Sequence, residues 1–283
     1  MTSQRHPIRV GISGWVYPAW RGTFYPTGLR QRDELAYAAE RLDTIEINGT
    51  FYSLQRPSSF ARWRDSVPAE FRFAVKGHRF ATHFARLKNA APTIADFLAS
   101  GVLALGERLG PVLWQTPPNL QFDAEVLDTF LGQLPHTTDA ARRLIAEHGR
   151  LEGDRRSVPT RGDHRIRHAL EVRHESFLDP SFGALLRKHN VAAVVADTAG
   201  RYPHIREITA SHVYVRLHGD RELYASGYSD RALRTWADAI RGWADGSGCP
   251  DGKGRDVHVF FDNDTKVRAP FDAMRLRTLL AER

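Results

Sequence analysis

Eight short apolar runs, each followed by a loop and a stretch with helix-like spacing, constrain this chain more than any other feature. They are IRVGIS (8–13), DTIEIN (43–48), FRFAVK (71–76), PVLWQT (111–116), HALEVR (168–173), AAVVAD (192–197), HVYVRLH (212–218) and DVHVFFD (256–262). Runs of this length rich in Val, Ile and Phe read as strands. Between them, DELAYAAERL (33–42), TIADFLASGVLALGERL (93–109), SFGALLRKH (181–189) and SDRALRTWADAIRGWA (229–244) place apolar residues near a 3.6-residue period, so each predicts one helix. Asp179 before Pro180, and Ser229 before an acidic first turn, are helix start signals. Strand and helix alternating eight times is the count of an α/β protein of the (β/α)8 TIM-barrel type. GISGWVYPAW after the first strand is not a GxGxxG loop, which argues against a dinucleotide-binding open sheet.

The whole chain, residues 1–283, reads as a single TIM-barrel domain. Residues 136–166 break the rhythm with a basic helix-like piece, AARRLIAEHGR, and a polar stretch, GDRRSVPTRGDH; both are assigned to the fourth crossover and a surface loop. Lys and Arg number 40 against 33 Asp and Glu, a net charge of +7. The arginines are scattered rather than gathered into a face or arm, as a nucleic-acid footprint requires. The one cysteine, Cys249, excludes an internal disulfide and a multi-cysteine metal site, and suits a reducing cytoplasm. No export signal and no apolar run of about 18 residues is present, so no membrane partner is expected.

Side chains alternate across a strand, and here one face of most strands is apolar and the other polar. Ile45 and Ile47 oppose Thr44, Glu46 and Asn48; Phe73 and Val75 oppose Arg72, Ala74 and Lys76; Leu170 and Val172 oppose Glu171 and Arg173. Val215 and Leu217 likewise oppose Tyr214, Arg216 and His218. The apolar face belongs against the helices, which directs the polar one inward. Active sites of such barrels lie where the strands end on the carboxyl side. The candidates near those ends are Glu46, Lys76, Glu171, Arg173, Asp197 and His218 for catalysis, with Asn48, Gln115, Asp262 and Asn263 for ligand binding. A purely structural ion-pair layer is the competing reading, but an apolar layer would serve stability at less cost. Arg72, Tyr214 and His258 lie earlier on their strands and are read as core.

Aromatic residues frame the same ends. The first loop carries Trp15, Tyr17, Trp20, Phe24 and Tyr25, the second begins with Phe51 and Tyr52, and the seventh holds Tyr224 and Tyr228. Flat rings with polar tips suit stacking on a sugar or base, and Trp15, Tyr17, Tyr52 and Tyr228 are the ligand-facing candidates. His78, His83, His174 or His218 could join Glu46, Glu171 or Asp197 around a divalent metal. No HxH or HExxH pair is present and Lys76, Arg173 and Arg216 would repel a cation, so a metal-free pocket is favoured; the cofactor stays unknown. DNDTK (262–266) lacks the glycine and distal glutamate of a calcium loop and is read as a turn.

Seven segments resemble, in order, signature blocks of the YecE-like family, domain of unknown function 72: GISGWVYPAWRGTFYP, TIEINGTFYSLQRPSSFARW, FRFAVKGHRFATHFARL, LGPVLWQTPP, HALEVRHESF, VRLHGDRELYASGY and FFDNDTKVRAPFDAMRL. The resemblance runs from about residue 8 to 280. It implies a TIM barrel related in shape to xylose isomerase and apurinic endonuclease barrels, and it implies no particular reaction. By analogy with those barrels, Glu46, Glu171, Asp197 and His218 would be the metal ligands. The expectation is an enzyme of hydrolase or isomerase type using general acid/base chemistry on a small sugar-like or phosphorylated ligand. In that reading Glu46 or Glu171 is the base, Lys76 and His218 stabilise charge or donate a proton, and Arg173 clamps an anion. The alternatives are a nucleic-acid partner, met by the loop aromatics and the arginines of 136–167, and a non-catalytic metabolite binder. The oligomeric state is open.

Overall fold

The computed structural model describes residues 6–159 and 162–282. The N-terminal MTSQR and residues 160–161 of the polar stretch lie outside the described residues. Eight strands form a closed barrel in sequence order: β1 (Ile8–Ser13), β2 (Thr44–Ile47), β3 (Arg72–Lys76), β4 (Leu109–Gln115), β5 (His168–Glu171), β6 (Val191–Asp197), β7 (His212–Leu217) and β8 (Asp256–Phe261). β1 pairs with β8, β3 with β4, β4 with β5, β6 with β7 and β7 with β8, all in parallel. Each strand matches its predicted run to within two residues. Parallel strands need a crossover between neighbours, and helices supply it everywhere but between β6 and β7, where residues 198–211 cross without one, a departure from the expected eightfold strand–helix alternation.

Those helices are α1 (Glu34–Ala39), α2 (Gly49–Tyr52), α3 (Pro57–Asp65), α4 (Ala91–Ala99), α5 (Ala124–Gly132), α6 (Thr138–His148), α7 (Pro180–Lys188), α8 (Asp230–Asp245) and α9 (Ala269–Ala281). Their starts are set by side chains. Asp123, Thr137, Asp179 and Ser229 each accept a hydrogen bond from a backbone N–H of the first turn. α8 buries Leu233, Ala237, Ile240, Trp243 and Ala244, the stripe its spacing predicts.

One predicted helix is two elements. The run 93–109 divides into α4 and a 3-10 segment, Val102–Arg108, because Gly101 between them has φ +123°. A Cβ there would lie 2.6 Å from Phe60 Cδ2 and 2.7 Å from Pro57 Cα, so glycine is required on both counts. Apolar periodicity continues across the break, which is why sequence spacing alone merges the two. The fourth crossover holds α5, α6 and a short 3-10 turn, Gly153–Arg155.

The chain divides into two compact units, Met1–Ile45 with Ala192–Arg283, and Glu46–Val191. Each has its own core. In the first, Ile12, Val213, Val215, Val257, Val259 and Leu276 are almost fully buried; in the second, Phe73, Val75, Ile94, Leu113, Trp114 and Leu170 are. Tyr214 and His258 are buried as predicted, whereas Arg72 is only half-buried. Its guanidinium donates to the carbonyls of Ala69 and Phe71, so it closes the entry to β3 from the surface. Among the described residues, no helix is long and apolar enough to cross a membrane.

Candidate functional site

In the unit Glu46–Val191 the polar ends of three strands come together. Gln115 and Glu171 are register partners on β4 and β5, so their side chains emerge on the same face. Gln115 Nε2 donates to Glu171 Oε1 at 2.8 Å, and Arg173 Nε donates to the same oxygen at 3.0 Å. Glu171 is 1% exposed and the Arg173 side chain 15%, so this ion pair sits where water screens little. Glu46 at the end of β2 is also fully buried. Asn48, just past it, has an Oδ1 that is buried without a hydrogen-bond partner among the described residues.

Lys76 closes β3, and its Nζ lies 4.5 Å from the centre of the Phe51 ring. His83 stands edge-on to the same ring at 5.0 Å and pairs Nδ1 with Thr82 Oγ1 at 2.9 Å. Burial, with the positive charges of Lys76, Arg173 and Arg79, lowers the imidazole pKa to about 4. At neutral pH it is therefore uncharged beside cations. In the sequence His83 is only one of several strand-end histidines. What brings it to Lys76 is a π-helical turn, Phe80–Phe84, a rare element that collects at functional sites and has no periodicity of its own to read.

The other unit carries a second cluster. Arg216 on β7 is 1% exposed, and its Nη2 donates to Asp262 Oδ2 at 2.9 Å. Ser13 Oγ lies 3.4 Å from the same nitrogen. His218 is fully buried; its Nε2 is 3.4 Å from Arg216 Nη1, and its Nδ1 is 3.1 Å from Asp262 Oδ2 but out of line for a hydrogen bond. Tyr224 meets its ring edge-on.

Asp197 Oδ2 accepts from the Tyr228 hydroxyl at 3.1 Å, and that hydroxyl oxygen accepts from Gly219 N at 3.1 Å. Burial and the Asp197 charge push the phenol pKa far up, so Tyr228 stays a neutral donor. Beside Asp197 lies a cavity of about 460 Å³, lined also by Thr198, Tyr202, His204, Asp220 and Trp236.

Several candidates turn out to have structural work. Tyr228 is 8% exposed and locks the loop after β7 rather than presenting a ring outward. Asn263 is fully buried: its Nδ2 donates to Asp272 Oδ2 at 2.8 Å and to Ser226 O at 2.9 Å, which ties the β8 exit to α9. Tyr17 is half-buried, stacks on Trp20 at 4.5 Å and donates its hydroxyl to Ser13 O. Trp15 is half-buried, with its carbonyl taken by the Tyr25 hydroxyl. Trp20, Phe24 and Tyr25 are core. Tyr52, by contrast, is 63% exposed. The arginines of the fourth crossover are partly committed as well: Arg142 holds the carbonyls of Pro159 and Gly162, and Arg150 pairs with Asp96.

The metal set implied by analogy does not fit these surroundings. Glu171 Oε1 is occupied by an amide and by the guanidinium of Arg173, whose positive charge is already paired with it. Among the described residues, no group of three or more His, Cys, Asp or Glu is placed to hold a metal ion.

Residues 9–283 match the family model described as protein of unknown function DUF72. The chain belongs to the DUF72 family. Its curated relatives include the UPF0759 protein YecE of Escherichia coli K12, 28% identical over 129 residues, a match that covers 45% of this chain and 44% of YecE. The chain thus spans less than half the length of the curated relatives it matches. Two DUF72 crystal structures have the same fold. One, from Thermotoga maritima MSB8, has a TM-score of 0.74 at 24% identity, covering 98% of this chain and 100% of that one. The other, from Enterococcus faecalis V583, has a TM-score of 0.70 at 17% identity, with 98% and 96% covered. Strand order, crossovers and family all place this DUF72 chain among the (β/α)8 TIM barrels.

Proposed function

We propose that this DUF72 protein is an enzyme that applies general acid/base chemistry to a small polar ligand bearing an anionic group, sugar-like or phosphorylated. The observation that carries the reading is a neutral imidazole, His83, held beside Lys76 and Arg173, with the buried carboxylate of Glu171 on that same arginine. Cations gathered at strand ends attract an anion, and Arg173 offers a planar fork to a phosphate or carboxylate. Glu171, oriented by Gln115, is the proton acceptor; Glu46 is the other buried carboxylate of this unit. His83 accepts or relays a proton without adding charge, and Asn48 Oδ1 is an acceptor for a ligand hydroxyl.

The test is turnover. A panel of sugar phosphates and hydroxy acids, followed by proton and phosphorus NMR with the wild type and Glu171→Gln, should contain a compound that only the wild type converts. If no member is converted or raises the melting temperature, the reading fails.

A further inference from the structure

Tyr52, Phe80 and Phe84 are 63%, 50% and 62% exposed, three large rings left in water within one short stretch of structure. They are not scattered. Phe80 and Phe84 lie 6.0 Å apart on the π-helical turn, and the Arg79 guanidinium carbon is 5.5 Å from the centres of both the Tyr52 and the Phe84 ring. The patch is also continuous with the cationic strand ends. Tyr52 meets Phe51 edge-on at 5.0 Å, and Phe51 in turn carries Lys76 on its face and His83 on its edge.

The backbone that presents the patch is itself costly. The π turn is followed by Arg86, Leu87 and Asn89 at φ +52°, +68° and +48°, three non-glycine residues in left-handed conformation. Strain of this kind persists where the surroundings over-determine it, commonly at ligand sites. Exposed rings with an arginine across two of them form a surface suited to stacking a flat group.

We infer that Tyr52, Phe80 and Phe84 form a stacking subsite for the aromatic group of an anionic ligand whose anion lies at Lys76 and Arg173. The substrate class is thus an aryl-bearing phosphate or carboxylate. This rests on the anion-binding reading above, and the test separates the two.

Calorimetric titration of the full chain uses three probes: inorganic phosphate, methyl phosphate and phenyl phosphate. Phenyl phosphate should bind about tenfold more tightly than methyl phosphate, the size expected of one or two ring contacts. In the double variant F80A/F84A, whose side chains are exposed and whose melting temperature should hold, the preference should fall to within about twofold while methyl phosphate is unchanged. Arg173→Ala should weaken all three. Methyl and phenyl phosphate binding equally would overturn the subsite and leave the anion reading intact. No phosphate binding at all would overturn both. A phenyl preference that survives F80A/F84A, or ring-dependent sedimentation with phosphatidylglycerol vesicles, would assign the patch elsewhere and overturn the subsite.

Discussion

Glu171 Oε1 and Arg173 Nε lie 3.0 Å apart, two residues along one strand end, with the carboxylate buried and the guanidinium nearly so. Removing either partner is not equivalent. Arg173→Ala strips a charged hydrogen bond from a buried carboxylate and should cost about 1.5–3 kcal/mol. Glu171→Gln keeps an oxygen for the Nε–H and should melt within a few degrees of wild type. It should also bind inorganic phosphate more tightly, because a negative charge has left the site. Melting curves and calorimetry on the two variants check this, and a large melting loss in Glu171→Gln would return the pair to a structural role.

His168 sets an acid limit on stability. It is fully buried, its Nδ1 accepts from Trp114 Nε1 at 3.2 Å, and its Nε2 donates to Pro135 O at 2.8 Å. Burial lowers its pKa to about 3. With an unfolded value of 6.5, the unfolded chain takes up the proton first as pH falls. The stabilisation from the neutral ring is therefore complete above about pH 6.5 and is lost progressively toward pH 3. His83, lowered to about 4, acts in the same direction. Urea unfolding from pH 7 to 4 should show this decline, and His168→Asn should flatten it.

The loop after β7 should depend on a clasp. Asp272 Oδ2 accepts from Asn263 Nδ2 at 2.8 Å and from Tyr228 N at 3.1 Å. Asn263→Ala leaves Ser226 O and Asp272 short of a donor, and should cost about 1–3 kcal/mol in chemical denaturation. Unchanged stability would mean that water replaces the amide at no cost.

Gly101 and Gly106 offer a matched pair. Both have positive φ, but a Cβ at Gly106 meets nothing within 4 Å whereas one at Gly101 meets Pro57 and Phe60. Gly106→Ala should cost about 1–3 kcal/mol from backbone strain alone, because φ +56° with ψ −129° is a conformation that L side chains rarely adopt. Gly101→Ala should cost at least about 1 kcal/mol more, because overpacking adds to strain. Equal losses by urea denaturation would show that α3 gives way freely.

The strands were readable because an inward polar face and an outward apolar face follow from a two-residue period, and β1 to β8 fall where the runs predict. Gly101 was not, since a turn hidden inside continuous apolar spacing leaves no mark except the glycine itself. Glu171, Arg173 and Gln115 are candidates from strand parity, which assigns them to the polar face; that Gln115 and Glu171 meet depends on the register of β4 on β5, which parity does not give. The chemistry of Tyr228 and Asn263 is visible in the sequence, but their partners, Asp197 and Asp272, lie 31 and 9 residues away and depend on how the loops fold back. His83 and the exposed Phe80 and Phe84 belong to a π-helical turn, and no sequence period announces one.

The proposed function requires the ends of β3 and β5 to bind an anion beside His83. Proton–nitrogen NMR of the imidazole, titrated from pH 7 to 3.5 with and without inorganic phosphate, tests it most directly. His83 should titrate at about 4 in the free protein and higher when phosphate neutralises Lys76 and Arg173, with a smaller phosphate effect in Arg173→Ala. A His83 titration that phosphate leaves unmoved would contradict it.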